Sequence, residues 1–201
     1  MSKDAAADAH AERPPADGVS PSAGSEASVV GMDYFMHLEY RELICPVVRR
    51  YSAALLEGRL IGHKCPKCGL VYAPPRGYCP IDVIETTDAD EVTLANAGVV
   101  TNFTVVTPVQ YYGQEETEPF AKVSIQLDEP GGSLSLQDVI DCPVDEVRVG
   151  MRVEAVWAPK KERDVSEITN RSWGSAEGSI RGWKPTGEPD VPADQVMQAG
   201  F

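Results

Sequence analysis

Three cysteines and one aspartate carry the clearest chemistry in this chain. Cys65, Cys68, Cys79 and Asp82 follow the spacing C-x2-C-x10-C-x2-D. Thiolate sulfur and carboxylate oxygen both ligate zinc, and Zn²⁺ takes four such donors in a tetrahedron. Donors with two residues between them can turn toward one point, so Cys65/Cys68 and Cys79/Asp82 read as two knuckles around one ion. Gly69, directly after Cys68, suits the positive φ that such a turn often needs. His63 and Cys45 are the other candidates for the fourth position. His63 lies only two residues before Cys65, a strained bite, and Cys45 would come from a different element.

The spacing describes a ribbon-type module with structural zinc. A catalytic zinc keeps an open position for water, and three thiolates would make the ion a poor Lewis acid. Two competing readings stand beside this one. One is a ribbon that folds without metal. The other is a redox pair, but C-x2-C of that kind belongs near a βαβ pattern, and none is visible.

The elements that must position these residues follow in order. Residues 1–30 are rich in Ala, Asp, Ser, Pro and Gly and cannot bury enough surface to offset their ordering entropy. They read as a disordered tail, with Met32 as an alternative start. Residues 31–57 read as a helical lead-in. Pro46 suits a first turn, Val47, Val48, Tyr51 and Leu55 share a face, and Gly58 suits the end. Residues 58–88 form the ribbon, entered by a strand at 59–64 and left by one at 70–72. From 89 to 184 the apolar period becomes two, around 99–105, 121–127, 134–140 and 151–157. Alternation of this kind marks strands with one buried face. Val165–Asn170 and Ser179–Trp183 compete for a fifth strand. Turn signals fall at Tyr112-Gly113, Pro130-Gly131-Gly132 and Val149-Gly150. The expected fold is mainly β: a helical arm, a small zinc ribbon, a five-stranded OB-type barrel, and an extended tail over 185–201.

Composition narrows the function classes. The 201 residues carry a net charge of -13, which opposes a phosphate-tracking nucleic-acid binder. That class is nevertheless the alternative reading, because OB folds bind nucleic acids and Phe103, Tyr111, Tyr112 and Phe120 are available for stacking. Intrinsic catalysis has thin support. The histidines are His10, His37 and His63, no nucleophile elbow is present, Cys142 reads as a small hydrophobe, and Asp138/Asp141 as a solvated strand end. Lys160, Lys161 and Arg163, and Arg171, Arg181 and Lys184, are two cationic groups that read as surface charge or as phosphate contacts. No apolar run is long enough to span a bilayer. Cysteines in metal-type spacing point to the cytoplasm.

Together, the helical lead-in, Cys65-Pro66-Lys67-Cys68-Gly69, Pro74-Pro75-Arg76, Cys79-Pro80 and the five-strand pattern resemble a known two-part family. It is the rubredoxin-like zinc ribbon plus OB-fold family, long labelled a domain of unknown function. The resemblance covers about residues 46–160. It implies a non-catalytic accessory subunit that accompanies thiolases and thiolase-like aldolases acting on acyl-CoA, steroid side-chain degradation included. An archaeal relative bridges thiolase and hydroxymethylglutaryl-CoA synthase. The implied partner is a thiolase-like or aldolase subunit, with acyl-CoA at the shared interface. Asp82 departs from the pattern, since family members often carry a fourth cysteine there.

Overall fold

Pro46 opens helix α1 (Pro46–Glu57), and Gly58 closes it at φ 83. The Gly58 N–H donates to the Leu55 carbonyl and the Arg59 N–H to that of Ala54. This double closure satisfies carbonyls that the helix leaves without partners. Val48, Tyr51, Ala54 and Leu55 face the core and Val47 is half-buried, close to the face expected from their spacing. The computed structural model describes residues 43–108, 117–166, 168, 176 and 178–198. The expected tail, residues 31–42 of the lead-in, the Tyr112-Gly113 turn, Tyr111, His10, His37 and Arg171 lie outside the described residues.

The ribbon consists of two small sheets. Strand β1 (Ile61–Lys64) pairs antiparallel with β2 (Val71–Tyr72) on one side and with β5 (Glu91–Thr93) on the other. Strands β3 (Tyr78–Cys79) and β4 (Ile84–Glu85) form a separate hairpin. β5 lies beyond the last knuckle, so the chain returns to the ribbon before it enters the next fold.

Five longer strands follow: β6 (Ala97–Val106), β7 (Phe120–Leu127), β8 (Ser133–Asp138), β9 (Arg152–Trp157) and β10 (Ile180–Pro185). Their order is β10-β9-β6-β7-β8. The two ends of this sheet meet through a single parallel bridge, Val139 to Trp183, where the Ile140 N–H donates to the Trp183 carbonyl. The arrangement is the partly open five-stranded OB type. It differs from the expected barrel in that, among the described residues, no continuous ladder closes it. Of the two candidates for the fifth strand, the Ser179–Trp183 region is the one that forms it. Val165, Ser166 and Ile168, the described part of the other, lie outside the strands.

Alternation explains β7 directly, since Ala121, Val123, Ile125 and Leu127 are buried and the residues between are half-buried. β8 breaks the same rule. Period two would send Leu134 and Leu136 inward together. The register against β7 instead shifts between Val123 and Ile125, and Leu136 takes φ 57. This bulge turns Leu136 out and Gln137 in, where Gln137 Oε1 accepts from Nε1 of the fully buried Trp183 at 3.1 Å.

α1, the ribbon and the OB strands share one apolar core. It runs from Val48, Tyr51 and Leu55 through Leu60, Ile61 and Leu94 to Val100, Ile125, Val153 and Trp183. Arg163 fastens α1 to the OB fold by donating to the carbonyls of Ala158 and Leu56, its guanidinium 5.5 Å from the Trp157 ring centroid.

The C-terminal segment is extended only in part. Arg148 grips Asp190, and Arg152 bridges Asp128 and Glu188, which holds residues 186–190 on the barrel. The chain then forms helix α2 (Ala193–Gln198), where an extended tail was expected. Pro192 starts it, its carbonyl accepting from the N–H groups of Gln195 and Val196, and burial of Val196 rewards the turn.

Candidate metal centre

The first knuckle follows β1. Pro66 fixes the entry to the turn, and the N–H groups of Lys67 and Cys68 both point at Cys65 Sγ, at 3.4 Å each. Gly69 sits at φ 78 and donates to the Cys65 carbonyl at 3.0 Å. The second knuckle follows β3 in the same manner. The Asp82 N–H reaches Cys79 Sγ at 3.4 Å, and the Val83 N–H reaches the Cys79 carbonyl at 2.9 Å. Val83 occupies the position of Gly69, at φ 54, a conformation rare for a β-branched residue.

These turns bring four donor atoms together. One atom each from Cys65, Cys68, Cys79 and Asp82 lies within 4.8 Å of every other. Zn–S bonds of about 2.3 Å at tetrahedral angles place two sulfurs about 3.8 Å apart, and sulfur and carboxylate oxygen about 3.6 Å apart. The Cys68 and Cys79 sulfurs are 3.8 Å apart, and Cys79 Sγ lies 3.6 Å from Asp82 Oδ2. Cys65 Sγ is nearer, 3.2 Å from the same oxygen. The donor set fits a tetrahedral zinc.

The Leu70 backbone N–H pulls the Cys68 thiol down, but Asp82, loss of solvent, and the Cys65 and Cys79 sulfurs outweigh it and push it up to about 12. Hydrogen bonds from Cys68, Lys67 and Cys65 hold the Asp82 carboxyl well below the usual carboxylate range. The Cys79 thiol moves the other way: loss of solvent raises it, but the Tyr72 hydroxyl, the Asp82 backbone N–H, the Cys65 thiol and the Ile81 backbone N–H outweigh that and hold it down. Metal binding at such a cluster releases the protons its thiols still carry.

The other two candidates lie elsewhere. His63 is buried with Nδ1 2.9 Å from Thr86 Oγ1, outside the cluster. Cys45 is exposed at the N-terminus of α1. Two residues at the site went unread in the sequence. Lys67 Nζ lies 3.0 Å from Asp82 Oδ1, and the Tyr72 hydroxyl lies 3.3 Å from Cys79 Sγ. A lysine inside C-P-K-C was the available signal for the first. The second depends on the β1–β2 register, which spacing does not reveal.

Other residues singled out in the sequence find ordinary partners. Arg181 pairs with Glu162, Lys184 with Glu154 and Lys122 with Asp138. Cys142 donates to the Pro143 carbonyl, and burial pushes its thiol up, the reverse of an activated nucleophile. Among the described residues, no helix is long and apolar enough to cross a membrane.

Fold and site together define a zinc ribbon, its Cys3Asp cluster compatible with a structural zinc ion, joined to an OB-fold domain. A model of the ChsH2 rubredoxin-like zinc ribbon domain matches residues 52–80, and one of the ChsH2 C-terminal OB-fold domain matches residues 91–158. A DUF35 domain-containing scaffold protein of Methanocaldococcus jannaschii is 35% identical over 105 residues, which span 51% of this chain and 70% of the relative. A scaffold protein of the same description from Methanothermobacter thermautotrophicus is 28% identical over 116 residues, 57% of this chain and 82% of the relative. Among solved structures, one described as an Ltp2-ChsH2(DUF35) aldolase aligns with a TM-score of 0.49 at 20% identity, over 72% of this chain and 98% of that chain. The chain belongs to the DUF35 family.

Proposed function

We propose that this chain is a non-catalytic scaffold subunit that binds a thiolase-like or aldolase enzyme of acyl-CoA metabolism and stabilises or completes its acyl-CoA site. A thiolase or a steroid side-chain aldolase is the partner this reading favours, in the cytoplasm. The observation that carries it is the 35% identity over 105 residues with an archaeal scaffold protein. The shared core supports the reading, because it makes ribbon and OB fold one continuous body able to hold a partner at a set geometry.

In this reading Cys65, Cys68, Cys79 and Asp82 hold a structural zinc. The ion ties the two knuckles together, and its contribution is folding energy. Arg181 and Lys184 already face carboxylates and Arg163 donates to backbone carbonyls, so in this reading these three are engaged within the chain and are not the primary phosphate contacts of an acyl-CoA. Phe103 and Val105 supply apolar surface on β6. They share a face with buried Val123 and Ala121 by register, but lie past the Ala97–Val99 stretch that β9 covers, and stay 40% and 44% exposed.

Reconstitution tests the proposal. The co-purified enzyme is assayed for acyl-CoA thioester turnover with this chain present and with it removed. Turnover should fall when the chain is withheld and return on its addition. Turnover and thermal stability that do not depend on the chain would remove the proposed role.

A further inference from the structure

The two oxygens of Asp82 have different surroundings. Oδ2 faces the sulfurs of Cys65 and Cys79 at 3.2 and 3.6 Å. Oδ1 is held by Lys67 Nζ at 3.0 Å. Lys67 belongs to the first knuckle and Asp82 to the second, so this ion pair spans the metal site. The Asp82 side chain is only 10% exposed and that of Lys67 is 67% exposed. A pair so open on one side contributes little to stability by itself. Its geometry matters more. The terminal torsion of an aspartate is broad, and a free carboxylate can offer either oxygen, or both, to an ion.

We propose that Lys67 is the positioning residue of the metal centre: by holding Oδ1 it turns Oδ2 alone toward the three sulfurs, so that Asp82 serves as a one-atom ligand in the place of a thiolate. This rests on the reading that Asp82 is the fourth ligand. A cysteine at position 82 has one donor atom and nothing to orient. Lys67 therefore matters to metal binding only while residue 82 is an aspartate, and a general effect of its charge would act on either ligand. Partners that orient metal ligands typically change affinity by about 10–100-fold when removed.

The test is a double-mutant cycle on the full chain, with Zn²⁺ alone as the probe, in competition with a chromophoric chelator under reducing conditions. Lys67→Met should weaken zinc binding by about 10–100-fold, and Lys67→Arg should restore most of the loss. In an Asp82→Cys background, Lys67→Met should leave binding unchanged. The proposal is overturned if Lys67→Met binds zinc like the native chain, if Lys67→Arg loses as much as Lys67→Met, or if the loss persists in the Asp82→Cys background. Asp82→Ala separates the two levels. If it keeps native affinity, Asp82 is not a ligand and the underlying reading fails. If it loses affinity while Lys67→Met does not, only the role of Lys67 fails. Lys67 is exposed, and circular dichroism of each variant reports whether it has folded.

Discussion

The two knuckles repeat one geometry with different residues at the turn, and this makes a prediction with opposite signs. Gly69 and Val83 both follow the last residue of their knuckle, both donate to the carbonyl four residues back, and both have positive φ, 78 and 54. A Cβ at Gly69 would meet nothing nearer than Lys64 Cε at 4.0 Å, so Gly69→Ala is a test of backbone conformation alone. The left-handed region costs an ordinary L-residue about 1–2 kcal/mol, and Gly69→Ala should lose that much. Val83 already bears such a cost, about 1–3 kcal/mol for a residue held in a sparsely populated region. Its side chain is 84% exposed, so removing it forfeits little burial. The added freedom of glycine returns about 0.5–1 kcal/mol to the unfolded state. Val83→Gly should therefore gain about 0.5–2 kcal/mol. Urea unfolding of the zinc-loaded chain, with metal release followed by a chromophoric chelator, measures both. A destabilised Val83→Gly, or a neutral Gly69→Ala, would refute the reasoning that φ governs these turns.

Three further outcomes follow from the same packing. Trp183→Phe removes the donor to Gln137 and shrinks a fully buried ring; it should cost about 2–4 kcal/mol, from one unsatisfied buried acceptor and a small cavity, read by chemical denaturation. Gly58→Ala meets both a φ of 83 and Arg163 Nη1, 2.6 Å from the new Cβ; a loss of about 2–3 kcal/mol is expected, and Arg163→Ala should reduce that loss in a double-mutant cycle. Stripping the metal with a chelator under reducing conditions should open Lys64, Lys67 and Arg76 to trypsin while the emission of buried Trp183 stays native-like, because the zinc ties the knuckles whereas Trp183 is held by β9, the Val139 bridge and Gln137.

Much of this architecture was legible because it rests on short-range rules. The spacing from Cys65 to Asp82 pointed to four donors that the structure does bring together. Pro46 and Gly58 marked the two ends of α1, and period two marked β7. What stayed hidden depends on contacts distant in sequence or on backbone departures from the period. Leu134-Ser135-Leu136 looks like plain alternation, and only the bulge at Leu136 sends Gln137 inward to meet Trp183. β5 belongs with β1 because of pairing across about thirty residues, which no local pattern announces. The helix at 193–198 is too short to show a period. Lys67 and Tyr72 escaped notice because their roles depend on where flexible or distant side chains end up, and spacing places only the Cα atoms.

The proposed scaffold role requires a partner enzyme. The direct measurement is affinity purification of the tagged full-length chain from its native cells, followed by native mass spectrometry and protein identification on the same eluate. The expected result is a heteromeric species that contains a thiolase-fold subunit and one zinc per copy of this chain. Elution of the chain alone, under conditions that preserve other complexes in that lysate, would contradict it.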